Sequence, residues 1–86
     1  MEKTVVFTQH AEKKLLLFHR HGFKFSKQEV EDIVKTSARI RLGYASRKVA
    51  ERIISEEHLL RVIFEEFPRQ LKIITMYPAR RERYED

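Results

Sequence analysis

The chain has 86 residues, the length of one domain spanning 1–86, with room for a single core and a surface groove but little for an enclosed cofactor pocket. It has no cysteine, which excludes disulfides and thiolate metal sites. Charged residues make up 36% of it and the formal net charge is +5, a balance that excludes a low-complexity chain and points to nucleic acid or an acidic protein as partner.

Val5-Val6-Phe7 reads as a short first strand. It is too short for the apolar part of a secretory signal, and no apolar run nears the ~20 residues of a membrane span. The expected location is cytoplasmic, with no membrane contact. Thr8 is placed to cap a helix running from Gln9 to His21, with Ala11, Leu15, Phe18 and Gly22 on one face and Leu16 and Leu17 widening the stripe. Gly22 stops that helix. Ser26-Lys27-Gln28-Glu29 has the form of a capping box and opens a second helix to about Lys35, with Val30, Ile33 and Val34 facing inward. Phe23 and Phe25 are expected to pin the two helices together.

After Ser37 the period changes to two. Ala38 to Tyr44 alternates Ile40, Leu42 and Tyr44 with Arg39, Arg41 and Gly43, the pattern of a half-buried strand. Arg47 to Ile54 is a second strand of less regular pattern, with Val49, Glu51 and Ile53 against Lys48, Ala50 and Arg52. Ser55 to His58 reads as a hairpin turn, Leu59 to Phe64 as a third strand and Leu71 to Tyr77 as a fourth. The fourth is nearly continuous in apolar residues, which predicts a central place in the sheet. Pro78 is expected to end it, since proline donates nothing to a ladder. The pattern predicts an α+β fold, two N-terminal helices packed on a four-stranded antiparallel sheet, with a short extra strand at the N-terminus.

The four histidines, at 10, 19, 21 and 58, show no ligand spacing, so no metal site is expected. Two glycines leave no phosphate-cradling loop, and no nucleophile elbow is present; no cofactor is expected. What remains is basic and aromatic. Residues 39–54 carry five basic side chains against one acid, and the chain closes on Tyr77-Pro78-Ala79-Arg80-Arg81-Glu82-Arg83-Tyr84. Arginine holds phosphate bidentately, and tyrosine stacks on bases or moves protons. RNA is cleaved by its own 2′-hydroxyl when a base, a cation and an acid surround the phosphodiester. Composition alone favours a plainer reading, a solvated tail of Arg–Glu pairs.

The order of parts resembles the RelE/ParE toxin superfamily, in the short variant that includes BrnT-type toxins. Phe7-Thr8-Gln9-His10-Ala11, then His21-Gly22 and Ser26 to Val30, is similar to the opening of such proteins. Leu71 to Arg80, with Arg81 to Tyr84 after it, is similar to their closing strand and tail. The resemblance implies a toxin of a toxin–antitoxin pair, a metal-independent endoribonuclease acting on mRNA, including mRNA on the ribosome. The alternative is a non-catalytic binding module that inhibits a protein target or binds nucleic acid. A small acidic antitoxin is the implied partner, and homo-oligomerisation stays open. The resemblance places catalysis on Arg80, Arg81 or Arg83 with Tyr84 or His58, and nucleic-acid contacts on Arg47, Lys48, Arg52, Arg61 and Tyr77. His10 is left to cap, pack or act, with capping or packing favoured. The ribonuclease reading requires the C-terminal arginines to join those of the strands in one cationic trough. The acids Glu56, Glu57, Glu65 and Glu66 would repel RNA if they faced it.

Overall fold

A computed structural model describes residues 3–36, 39–42 and 47–84 of the chain; the side chains of residues 39–42 and of Tyr84 lie outside the description. The elements run β1 (Thr4–Phe7), α1 (Gln9–Arg20), α2 (Lys27–Thr36), β2 (Arg39–Leu42), β3 (Lys48–Ile53), β4 (His58–Glu66), β5 (Gln70–Arg80) and α3 (Arg81–Tyr84). The fold is α+β.

Both helices are closed by the residues beside them. The Thr8 hydroxyl accepts from the Ala11 amide at 3.1 Å and so satisfies one free donor of the first turn of α1. At the other end the Gly22 amide donates to the His19 carbonyl and the Phe23 amide to the Phe18 carbonyl. This paired pattern needs a left-handed residue at its centre, and Gly22 has φ +89°. The apolar contact that accompanies it is present as an edge-to-face pair of Phe18 and Phe23, 6.2 Å between centroids. In α2 the capping box forms in both directions, Glu29 amide to Ser26 Oγ and Ser26 amide to Glu29 Oε1, each 3.1 Å.

The sheet has the order β1-β5-β4-β3-β2. β2 to β5 are mutually antiparallel, and β1 joins the edge of β5 in parallel. The expectation of a purely antiparallel sheet is thereby corrected: the short N-terminal strand is part of the sheet and makes it mixed. The expected strand at 38–44 is described at 39–42; the rest of it lies outside the described residues. β5 does not end at Pro78 but continues to Arg80, with Pro78 opposite Leu60. β1 reaches only Ile73, so among the described residues no strand flanks the other side of this part of β5, and a missing N–H there removes no ladder bond to them.

Both helices lie on one face. Ala11, Val30, Ile33 and Val34 pack with Phe25 against Ala50, Leu60, Val62, Phe64, Leu71, Ile73 and Met76, all nearly devoid of solvent contact. Burial of each large apolar side chain contributes roughly 1.5–3 kcal/mol. Leu16 and Leu17 do not widen the buried stripe of α1; both are exposed. Leu71 and Ile73 occupy odd positions and Met76 an even one, yet all three face the helices. A bulge explains this: Phe64 pairs with Ile73 and Ile63 with Thr75, leaving Ile74 as the extra residue.

Candidate functional site

Strand alternation sorts the basic residues between two faces. On β4, Leu60, Val62 and Phe64 point to the helices, so Arg61 points away from them. Its register partners are Glu51 on β3 and Tyr77 on β5. These three side chains form a row across three adjacent strands on the outer face of the sheet. Arg61 Nε lies 3.2 Å from Glu51 Oε2, and the guanidinium carbon stands 5.8 Å from the centre of the Tyr77 ring. Glu51 is buried, at 3% exposure, and the Arg61 side chain is largely covered. In β2 the backbone of Arg39 continues the row, opposite Glu51.

The row brings together a carboxylate that can take a proton, a permanent cation and a phenol that can give one. A guanidinium over an aromatic face is also held in place by the ring quadrupole. Arg61 and Tyr77 are residues the sequence singled out; Glu51 is not. The signal for it was present, an acid between Val49 and Ile53 on the otherwise apolar side of β3.

A second group forms at the end of the sheet. His58 is not in the hairpin turn but begins β4, directly opposite Arg80. The two, with Phe23, Pro78, Ala79, Arg83 and the wall of β5 at Tyr77, line an open groove of about 340 Å³. The imidazole meets the Phe23 ring edge-to-face at 5.2 Å. Arg80 is paired with Glu57 at 3.5 Å and with Glu82 at 3.9 Å. Arg81 reaches the β3–β4 turn, where its guanidinium donates to the Glu56 carbonyl at 3.2 Å. The backbone of Tyr84 closes α3; its side chain lies outside the described residues.

The remaining candidates point elsewhere. Arg52 turns to the helix side and binds Asp32 at 2.8 Å and the Thr36 hydroxyl at 2.7 Å. Lys48 holds Glu66, and Arg47 lies 3.9 Å from Glu65. The single cationic trough is therefore corrected, and with it the ribonuclease site on the C-terminal arginines that required it. Lys48, Arg52 and Arg80 lie on the helix side of the sheet, Arg61 and Tyr77 on the other, because residues of opposite parity on a strand cannot share a face. The acids expected to repel RNA are mostly engaged: Glu57, Glu65 and Glu66 each hold a basic side chain. His10 ties α1 to the sheet, its Nε2 3.0 Å from the Thr75 hydroxyl, beside the Thr8 hydroxyl donating to the Ile74 carbonyl at 3.1 Å.

Among the described residues no group of three or more His, Asp or Glu side chains is placed to hold a metal ion. No helix among them is long and apolar enough to cross a membrane. Compared with known proteins, the chain matches no family model, no curated protein and no solved structure.

Proposed function

We propose that this chain is a RelE/ParE-like toxin-type domain that cleaves RNA without a metal, not in the expected trough of C-terminal arginines but on the outer face of its sheet, where the cation is Arg61. The observation that supports the reading is the row Glu51–Arg61–Tyr77, which supplies base, cation and acid on three neighbouring strands. A phosphodiester entering the row draws the Arg61 guanidinium toward its oxygens, which releases the Glu51 carboxylate. Glu51 then takes the 2′-hydroxyl proton, and the 2′-oxygen attacks phosphorus. Arg61 stabilises the added negative charge of the five-coordinate phosphate. Tyr77 gives its proton to the departing 5′-oxygen. The products are a 2′,3′-cyclic phosphate and a 5′-hydroxyl, so atoms and charge balance with no cofactor. Arg80 lies across the sheet from the row, and its pairs with Glu57 and Glu82 are exposed and worth little; with Arg81 and Arg83 it takes flanking phosphates where the RNA rounds the end of the sheet. A small acidic antitoxin is the partner of this reading, and ribosome-bound mRNA its target.

The test is purified protein with a defined RNA. Tyr77→Phe and Glu51→Gln each lower cleavage by about 10²–10⁴-fold, the usual contribution of a proton-transfer group. Unchanged cleavage in Glu51→Gln/Tyr77→Phe ends this assignment.

One observation favours a second reading, a RelE/ParE-like module that binds a protein target or nucleic acid without catalysis. Arg47, Lys48, Arg52 and Arg80 all contact carboxylates within the chain, which leaves less cation for substrate phosphates. Growth arrest on induction with cellular RNA intact selects that reading.

A further inference from the structure

At the end of the sheet far from His58, α2 and the strands leave a pocket of about 360 Å³. Its floor is apolar and belongs to the core: Val34, Phe64 and Leu71, all below one-tenth exposed. Among the described residues its rim carries Lys3, Lys35 and Lys48 and a single acid, Glu66. The volume and the apolar lining with a few convergent charges are those of a small-molecule site. The charges decide which molecule. Glu66 is held between Lys3 and Lys48. Hydrogen bonds from these two ammonium groups pull its carboxyl down from 4.5 to about 2. The clamp demonstrates that two of the rim lysines are spaced to bracket one carboxylate. Lys35, at the end of α2, makes no ion pair with a described residue, so the rim keeps a surplus of positive charge.

We propose that this pocket binds a small apolar carboxylate, its tail on Val34, Phe64 and Leu71 and its head among Lys35, Lys48 and Lys3, in competition with Glu66. A cationic ligand of the same size is repelled, and an uncharged one lacks the head-group contacts. The site is separate from the outer-face row and stands whether or not the chain cleaves RNA.

Octanoate is the probe, followed by amide chemical shifts of the full chain, with octylamine and octanol as controls. Octanoate binds saturably and shifts the amides of residues 34, 64 and 71; octylamine does not. Lys35→Glu weakens binding by about tenfold, one head-group contact to a charge. Glu66→Gln, which removes the internal competitor and leaves the rim lysines free, tightens it by about threefold. High salt weakens binding in every variant. Both variants alter surface residues, and their folding is verified by circular dichroism. Absence of saturable octanoate binding in both the parent chain and Glu66→Gln overturns the proposal, as does equal binding of octylamine.

Discussion

Arg61 of β4 stands directly opposite Glu51 of β3, and the two meet at 3.2 Å on the sheet face that carries neither of the two long helices. Both side chains are largely removed from water, so each charge depends on the other. Taking away one partner strands the remaining charge. Glu51→Leu or Arg61→Met alone is expected to cost about 3–5 kcal/mol, whereas the two combined are near neutral. Urea unfolding of the two single variants and the pair gives the coupling directly. Additive losses would mean the pair is exposed and weak.

The two basic groups of the molecule are separable by activity. In the proposed reaction the outer row carries the chemistry and the His58 groove only contacts flanking phosphates. His58→Gln should therefore reduce RNA cleavage by less than about tenfold, while Tyr77→Phe reduces it by at least about a hundredfold. Arg80→Ala should weaken RNA binding and flatten its salt dependence by about one unit of slope at most. The reverse ranking, with His58→Gln the more damaging, transfers the chemistry to the groove.

The helical half of the fold is legible in the sequence because its determinants are local. Thr8, Gly22 and the Ser26–Glu29 pair act on amides within five residues, and every one of those bonds forms. The sheet is less legible because its partners are distant. Nothing near Glu51 in the chain announces Arg61, and nothing near His58 announces Arg80. The apolar run from Leu71 to Met76 has its explanation in a bulge that no local signal marks, and Pro78 sits inside a strand because β1 is too short to reach it. The division of basic residues between faces follows from alternation, but only once each strand's phase is fixed by the core.

Acid should weaken one particular end of the molecule. The Glu66 carboxyl is held near 2 by Lys3 and Lys48, below its ordinary 4.5. A group with a depressed folded value stabilises the fold at pH above the unfolded value and loses that contribution as pH falls from about 4.5 toward 2. The site is partly exposed, so the effect is modest and shrinks with salt. Glu66→Gln should flatten this part of the stability–pH curve, measured by thermal unfolding at low ionic strength. An unchanged slope between the parent and Glu66→Gln would show that the clamp carries no linkage.

The bulge makes a prediction about deletions, which normally ruin a sheet. Between Leu71 and Arg80, Ile74 is the one residue of β5 without a partner on β4, between Ile73 opposite Phe64 and Thr75 opposite Ile63. Removing it leaves a regular antiparallel ladder in which Ile73 still faces the helices and Thr75 and Tyr77 still face outward. The losses are local: a half-buried isoleucine and the bond from the Thr8 hydroxyl to the Ile74 carbonyl, the latter about 0.5–1.5 kcal/mol. Removing Met76 also yields a regular ladder, but Thr75 then enters the core in place of a fully buried methionine and Ile74 turns outward. That exchange resembles a large-to-small core substitution with a polar group added, about 2–5 kcal/mol. Deletion of Ile74 should therefore yield a folded chain that keeps the Glu51–Arg61–Tyr77 row, and deletion of Met76 a chain at least about 2 kcal/mol less stable than it. Denaturant unfolding ranks the two. Equal stability would mean that the parity change at Ile74 does not set which residues of β5 reach the core.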